Sequence, residues 1–321
     1  MTARPIVILL LLLFALEGKA ACRVSTTSGN FASVSSFTLN STEQATSASL
    51  QVNCDVVLGL LNNDTIRLTY TGASVSAGDR GTLKRTDNAT VADTIPVRMC
   101  TQAGCLNSSE IAIGASYTWS GSALLSLLGS RRFTLPLYFR TVTGQNVSAG
   151  PYQVTLNFSV FYSICEVGGL GLCGTAQTST VATTLQLNLT VTSDCITITA
   201  PNVSFGSAPL VKDFPAVSRS VSLTCTKGSV YTVGVNNGSY ASGNVRNMAN
   251  GSNRLSYEIY KESTQNRWGS IGAERWASNA ASSASADGMM RTYNYTARVL
   301  PTQTTPPAGT YTDTLVVDVA F

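Results

Sequence analysis

The two halves of this sequence follow one pattern, but the first half has one more strand-like run than the second. Copy one contains GPYQVTLNFSVFY at Gly150–Tyr162, and copy two contains the matching GTYTDTLVVDVAF at Gly309–Phe321. Copy one then adds VATTLQLNLTV at Val181–Val191, which has no counterpart in copy two. Alternation of apolar and polar residues predicts strands with one buried face. We therefore expect two related domains, of which the second lacks its last strand.

The repeat also predicts the domain boundaries. Aligning Gly150 with Gly309 matches six alternating positions: Tyr152 with Tyr311, Val154 with Asp313, Leu156 with Leu315, Phe158 with Val317, Val160 with Val319, and Tyr162 with Phe321. A two-copy repeat of about 150 residues is typical of two sibling domains rather than a solenoid. We expect a self-complemented first domain at residues 21–192 and a strand-accepting second domain at residues 193–321.

The missing strand has an energetic consequence. Burying the four or five apolar side chains of such a strand is worth roughly 6–15 kcal/mol gross, which rivals the whole net stability of a domain, about 5–15 kcal/mol. We expect the second domain to be unstable alone and to expose a sheet edge formed by Leu315, Val317, Val319 and Phe321. A strand donated by another chain would complete it. The alternative is a looser but complete sandwich.

Composition indicates an exported all-β protein. Of the 321 residues, 44% are hydrophobic and 12% are charged, and the abundance of Ser, Thr, Asn, Gly and Val is typical of β-sandwiches. We predict two immunoglobulin-like β-sandwich domains. Residues 1–20 are predicted to be a signal peptide, with Arg4, an apolar core at Ile6–Leu16 and a cleavage site ending at Ala20. A lipoprotein signal at Cys22 is the alternative, but Lys19 stands where an aliphatic residue is required.

The eight Cys residues of an exported chain predict four disulfides. The repeat makes Cys22–Cys54 and Cys195–Cys225 equivalent bridges, and Cys100–Cys105 and Cys165–Cys173 remain as local ones. A metal site at Cys100 and Cys105 is the alternative, but the chain contains no His to complete a mixed site. We expect no metal and no cofactor.

Three apolar loops are predicted at one pole of the first domain. In an immunoglobulin-like sandwich the B–C, D–E and F–G loops share a pole. We expect strand B to end at Cys54 and strand C to begin near Ile66, strand D to end near Trp119 and strand E to begin near Phe133, and strand F to end near Tyr162. The corresponding B–C loop of copy two is the short, polar TKGS, so the fold does not require apolar loops.

These loops carry the candidate surface-binding residues. They are Val56, Val57, Leu58, Leu60 and Leu61 in the first loop, Leu124, Leu125, Leu127 and Leu128 in the second, and Val167, Leu170 and Leu172 in the third. Apolar side chains exposed together mark an interaction surface. Two alternatives remain: Leu124–Leu128 as a buried helical turn that caps the core, and Val56–Leu61 as an inward extension of strand C.

Four motifs of copy two carry a family resemblance. They are CITITAPNVSFG at 195–206, SVSLTCTKG at 220–228, LSYEIY at 255–260 and PAGTYTDTLVVDVAF at 307–321. With these motifs the chain resembles the spore coat protein U family, found in archaic (Csu-type) chaperone–usher pili. Copy one matches more loosely, through its Cys22–Cys54 pair and Ala149–Tyr152.

The resemblance implies a position in a polymer. Shaft subunits of this family carry a donor strand before the first Cys, whereas only Ala21 precedes Cys22 in the expected mature chain. The chain therefore resembles the two-domain tip adhesin, whose hydrophobic finger loops bind surfaces. The implied partners are a periplasmic chaperone, an outer-membrane usher, the N-terminal donor strand of the next subunit, and an abiotic or host surface. The implied location is the pilus tip, reached by export through the periplasm.

Glycan binding, catalysis, a structural coat role and nucleic-acid binding are the alternative functions. A lectin-like adhesin would stack sugars on Tyr117, Trp119, Trp268 or Trp276, although aromatic residues on strands usually belong to the core. An enzyme is not expected, because the chain has no His and no paired carboxylates. A structural coat protein would not need the apolar loops. A net charge of +4 without a basic run does not indicate a nucleic-acid partner.

Overall fold

The computed structural model describes residues 22–54, 64–125, 127–129, 132–169 and 172–321, with the backbone alone at 125, 129, 166–169 and 172. The predicted signal peptide lies outside these ranges. Contacts divide the described residues into two compact units. One contains the described residues of 22–32, 43–142 and 151–189, and the other contains 33–42, 143–150 and 190–321.

The chain is nearly all β, as predicted. In the first part of the chain the strands are β1 (Arg23–Thr26), β2 (Gly29–Asn30), β3 (Val34–Ser35), β4 (Ala45–Asn53), β5 (Thr65–Ala73), β6 (Ser76–Ala77), β7 (Arg80–Arg85), β8 (Thr94–Cys100), β9 (Ser116–Ser120), β10 (Leu128–Gly129), β11 (Arg132–Thr141), β12 (Gly150–Gly169) and β13 (Leu172–Thr192). Two short α-helices are α1 (Ser36–Ser41) and α2 (Gly121–Leu125), and a 3-10 turn lies at Asn107–Ser109.

The rest of the chain adds nine strands. They are β14 (Cys195–Thr199), β15 (Val217–Cys225), β16 (Thr232–Val235), β17 (Arg246–Asn250), β18 (Asn253–Lys261), β19 (Trp276–Ala277), β20 (Ser283–Ala284), β21 (Met290–Val299) and β22 (Val317–Ala320). Three 3-10 turns lie at Val211–Asp213, Gly272–Glu274 and Ser278–Ala280. None of the described helices is long and apolar enough to cross a membrane.

Strands β12 and β13 form the longest feature of the first unit. The main strand order is β1-β4-β11-β8-β7-β12-β13-β2, and β5 pairs with both β12 and β9. The alternating residues of β12 that the pattern assigned to the buried face are indeed buried: Tyr152, Val154, Leu156, Phe158, Val160 and Tyr162. Strand β13 adds its own buried row of Leu185, Leu187, Leu189 and Val191. The run that copy two lacks therefore pairs beside β12 within the same chain.

The second unit contains two sheets around an aromatic core. One sheet has the order β14-β15-β21-β18-β17, and the other has the order β19-β16-β22. Their facing side chains include Leu223, Val233, Trp268, Trp276 and Tyr293, all buried. Trp268 lies at the centre: its ring packs edge-on against Trp276 at a centroid distance of 5.1 Å, and its indole N–H donates to the Val233 carbonyl.

Two strand boundaries differ from the expectation. Strand F was predicted to end near Tyr162, but β12 continues to Gly169 and β13 begins at Leu172, so most of the predicted F–G loop belongs to a β-hairpin. The closing run of copy two was predicted to be a strand throughout, but only Val317–Ala320 pairs with β16. The reason is a change of partner: Thr312 bridges Ala249 of β17 in the other sheet, so residues 313–316 cross between the sheets.

All four predicted disulfides are confirmed. Cys22–Cys54 and Cys195–Cys225 join equivalent positions of the two copies, and Cys100–Cys105 and Cys165–Cys173 are the local bridges. The predicted equivalence follows from register: Cys195 stands opposite Cys225 on β14 and β15.

Candidate interaction sites

A groove of about 480 Å³ opens into the core of the second unit. Its lining includes Val221, Ile259 and Ala297 of one sheet and Val235 of the other, together with Trp268. Its lining also includes residues 200–203, Phe205, residues 311–315 and Val317. A groove of this size has room for several side chains, and most of its lining residues are apolar or aromatic. These properties are compatible with binding of alternate apolar side chains.

Strand β14, which directly precedes the lining residues 200–203, carries an exposed apolar side chain, Ile198. Ile198 stands opposite Leu223 of β15, and directly opposed residues of antiparallel strands point to the same face. Leu223 is fully buried, whereas Ile198 is 46% exposed. A side chain on the inner face of a sandwich is exposed in this way where a facing strand is absent.

Strand β22 has a free edge. In the order β19-β16-β22 it pairs with β16, and no other described strand pairs with it. The predicted edge residues Leu315, Val317 and Val319 are partly buried and pack against the core of the unit. Phe321 is 63% exposed, and its ring lies 5.9 Å from that of Tyr231. The free N–H and C=O groups of this edge are available to a further strand.

One charged residue, Asp313, stands among the described residues that line this groove. Its Oδ2 accepts a hydrogen bond from the Tyr257 hydroxyl at 2.7 Å. Its Oδ1 accepts from the backbone N–H groups of Ser239 and Thr314, each at 2.8 Å. Burial, and then the hydrogen bond to Asp313, raise the pKa of Tyr257 well above its ordinary value, so the phenol remains a donor.

A buried ion pair holds the strands behind the groove. Arg246 of β17 is fully buried and pairs with Glu258 of β18. Its remaining N–H groups donate to the carbonyls of Val235, Asn236 and Trp268. Burial is the main reason that the pKa of Arg246 is lowered, and Glu258 opposes that effect. Strands of both sheets are thus tied together, because Val235 belongs to β16. Sequence patterns missed this residue, since a buried Arg in a strand has no periodic signal.

The bases of the three predicted loops converge at one pole of the first unit. Ser120, Thr65 and Ser163 lie in one cross-strand row of β9, β5 and β12. Arg23, Asn53 and Arg132 form a second row on β1, β4 and β11. The Tyr162 hydroxyl donates to the Cys22 carbonyl at 3.3 Å and links the two groups of strands. The strand ends that flank the first two predicted loops therefore lie in these two rows, together with Ser163, from which β12 continues toward the predicted third loop.

Asp64 joins two of these loop bases. Its Oδ1 accepts a hydrogen bond from the Cys165 backbone N–H at 2.8 Å. The residue is 3% exposed, and no described residue is hydrogen-bonded to Oδ2. Burial raises the pKa of Asp64, and the Cys165 N–H opposes that rise only in part. A carboxylate between the first and third loops was not singled out from the sequence, because Asp64 sits in a polar NND run that reads as an ordinary turn.

The predicted surface-binding residues fall into three groups. Val56, Val57, Leu58, Leu60, Leu61 and Leu170 lie outside the described residues, as do the side chains of Leu125, Val167 and Leu172. Leu127 and Leu128 are partly buried. Leu124 is fully buried, so its predicted exposure is wrong. Leu124 lies in α2, which begins directly after β9, and the helical turn directs this side chain inward as the alternative interpretation expected.

The aromatic residues considered for sugar stacking mostly belong to the core. Trp119, Trp268 and Trp276 are at most 5% exposed. Tyr117 is 38% exposed and packs edge-on against Trp119 at 4.9 Å. Among the described residues, no group of three or more His, Cys, Asp or Glu side chains is placed to hold a metal ion.

Comparison with known proteins places these features in context. The model of the Spore Coat Protein U domain matches residues 9–159 and 181–318. The chain is similar to a chain in the CsuC–CsuE chaperone–tip adhesion subunit pre-assembly complex from archaic chaperone-usher Csu pili of Acinetobacter baumannii, with 27% identity, a TM-score of 0.56 and coverage of 94% of this chain and 100% of that one. The CupB6 tip adhesin of Pseudomonas aeruginosa matches at 14% identity and a TM-score of 0.39, over 94% and 95% of the two chains. No curated protein sequence matches.

Proposed function

Because the chain belongs to the Spore Coat Protein U domain family, we propose that it is the tip adhesin of a chaperone–usher pilus. Its second unit is held by a strand from the next subunit, and its first unit attaches to surfaces through the three apolar loops. A periplasmic chaperone and an outer-membrane usher deliver it to the cell surface. The likeness to a chain of the CsuC–CsuE complex supports this role. The role is non-catalytic.

The observation that carries the proposal is the open groove beside the free edge of β22. The groove exposes the apolar floor of the core, and the edge offers unpaired backbone groups along Val317–Ala320. In copy one the same position beside β12 is occupied by β13. A donated strand would hydrogen-bond to β22 and bury alternate side chains in the groove, as in strand addition generally. Three or four such side chains contribute roughly 5–12 kcal/mol gross.

A tethered strand tests this half of the proposal. The exported chain is extended after Phe321 by a flexible linker and a nine-residue segment of alternating Thr and Val, both good strand formers. The control carries two Pro residues in the same segment, because Pro cannot donate to a sheet ladder. We expect the Thr/Val chain to be monomeric and to melt well above the Pro control. Equal melting of the two chains and of the untethered chain would contradict donor-strand binding.

Attachment is the other half of the proposal. The converging loop bases support it, because they bring three apolar sequences to one pole. Without the buried Leu124, the remaining candidate side chains at about 1 kcal/mol each give roughly 10 kcal/mol gross, and association costs of about 4–15 kcal/mol consume most of that. One tip therefore binds modestly, and many pili on one cell bind by avidity.

The test of attachment replaces Leu60, Leu125 and Leu170, one in each loop, with Ser. In normally piliated cells we expect this triple variant to lose most adhesion to hydrophobic plastic. The matched control is Leu106→Ser, because Leu106 is an apolar side chain of the first unit that is 67% exposed outside the loops. Unchanged adhesion of the triple variant would contradict the loop mechanism. Inhibition of wild-type adhesion by a simple sugar would instead favour glycan binding beside Tyr117.

A further inference from the structure

We propose that the strand that fills the groove carries a lysine or arginine at the position facing Asp313. This inference rests on the proposed function and adds the chemistry of the partner. It starts from a difference between the copies: Asp313 aligns with Val154, which is 1% exposed in the core beside β13. Where copy one has an apolar side chain against its closing strand, copy two has a carboxylate.

Among the described residues, no cationic side chain forms an ion pair with Asp313. Its carboxylate accepts three hydrogen bonds, from the Tyr257 hydroxyl and from the N–H groups of Ser239 and Thr314. Asp318, on β22, differs in this respect because it pairs with Arg275 at 2.7 Å. Within the described chain Asp313 forms no ion pair, and every other described residue that lines the groove is uncharged.

Filling the groove changes the energy of this carboxylate. In the open groove Asp313 is only partly buried, so water can reach it. A donated strand would exclude that water, and burying a carboxylate without a cation is strongly unfavourable. Oδ2 holds one hydrogen bond, and a carboxylate accepts about four in total. A cationic side chain on the donated strand would supply the missing donor and the opposite charge, as a charge-assisted hydrogen bond.

The consequence is selectivity among donor strands. Leu315, Val317 and Val319 favour apolar side chains on the inward face of the donated strand. Any strand with alternating apolar residues provides such side chains. Asp313 adds a position at which an apolar or acidic residue leaves a buried charge unpaired. Discrimination by penalising wrong partners is a common source of specificity in protein interfaces. The groove would therefore prefer a strand with three apolar inward residues and one basic residue.

The test uses the full exported chain with the tethered Thr/Val strand. A strand tethered after Phe321 returns antiparallel to β22, so its inward Val residues meet Val319, Val317, Leu315 and then the Asp313 region. Lys and Leu are placed in turn at each of the four inward positions, which removes any dependence on the register set by the linker. We expect Lys to raise the melting temperature relative to Leu at one far position, by roughly 5 °C for a domain of this size.

Two further backgrounds identify the partner of that lysine. In Asp313→Asn the advantage of Lys over Leu should disappear at the sensitive position. In Asp318→Asn, which removes a carboxylate already paired with Arg275, it should persist. An advantage that persists in Asp313→Asn, or Leu equal to Lys at every position of the wild type, would overturn the inference. If none of the tethered strands stabilises the chain, the donor-strand proposal itself fails.

Discussion

Individual buried charges in this protein are compensated to different degrees. Arg246 is surrounded by Glu258 and three carbonyl oxygens, so its charge is matched although no water reaches it. Within the described part of the chain, Asp64 accepts one N–H hydrogen bond, and its second carboxyl oxygen accepts none. The first residue therefore ties strands together, and the second imposes a cost that depends on pH.

Asp64→Asn should show whether the buried charge of Asp64 destabilises the first unit. The folded pKa of Asp64 is raised by burial, so its stabilising contribution belongs to the protonated form and is lost as pH rises through that folded pKa. The amide keeps an oxygen for the Cys165 N–H without a charge. We expect Asp64→Asn to melt above the wild type at pH 7, with the difference shrinking as pH falls toward 4.

The matched control for this prediction is Asp87→Asn. The side chain of Asp87 pairs with Arg85, whose hydrogen bond lowers the pKa of the Asp87 carboxyl. The stabilising contribution of Asp87 is therefore present at neutral pH and lost as pH falls. The two variants should respond to pH with opposite sign in thermal melts, and the same sign for both would contradict the assignment of Asp64.

Arg246→Met tests the buried pair behind the groove. Removing Arg246 leaves the buried Glu258 carboxylate with Arg267 as its remaining cation and removes the donor to three carbonyl groups. Loss of one partner of a buried ion pair typically costs about 3–5 kcal/mol. The control is Arg254→Met on the same β17–β18 hairpin, where the Arg side chain is exposed; a change below about 1 kcal/mol is expected. Urea unfolding of the tethered-strand chain measures both, and similar losses would contradict the role given to Arg246.

Among the strands, the short parallel pairing of β2 with β13 illustrates how closely the first unit is packed. Gly29 stands opposite Leu187. A Cβ added at Gly29 would lie 2.5 Å from Leu187 Cδ2, closer than any van der Waals contact, and 3.4 Å from a methyl group of Thr46. The absence of a side chain at Gly29 thus allows β2 to approach β13 closely.

Gly29→Ala should therefore destabilise the first unit by about 1–3 kcal/mol, because overpacking forces β13 or Leu187 to shift. Gly72→Ala on β5 is the matched control, because a Cβ there would meet no atom within 4 Å. That variant should be neutral or slightly stabilised through a smaller loss of backbone entropy. Chemical unfolding of the two variants is the measurement, and equal effects would contradict the packing argument.

At the scale of the whole molecule, local alternation correctly predicted the two closing strands of copy one, β12 and β13. The inward residues of β12 were identified because side chains alternate strictly along a strand. The four disulfides followed from the repeat. The strand pattern depends on residues that are adjacent in sequence, and the disulfide pairing depends on equivalent positions in the two copies. Both kinds of information are present in the amino-acid sequence.

The features that were missed depend on partners distant in sequence. Residues 313–316 lie within the run that was predicted to be one strand, but Thr312 pairs with Ala249 of the other sheet, so this segment crosses instead of continuing the ladder. The F–G segment contains several Gly residues and was interpreted as a loop, yet β12 and β13 extend through most of it. The sequence predicted a missing strand in the second domain but not the residues that would surround its place. That Asp313 lines the groove depends on the three-dimensional structure.

For the proposed role of the chain as a pilus adhesin, the Cys195–Cys225 disulfide has a mechanical consequence. Tension that reaches Cys195 along the chain passes through a covalent bond to Cys225 and so into β15. Strand β15 is paired with β21 from Val217↔Ala297 to Thr224↔Met290, so the load is shared along that whole ladder and bypasses the edge strand β14. In a single-molecule pulling experiment on the tethered-strand chain, reduction of the disulfides should lower the rupture force of the second unit, and the Cys195→Ser/Cys225→Ser variant should show the same low force without reductant.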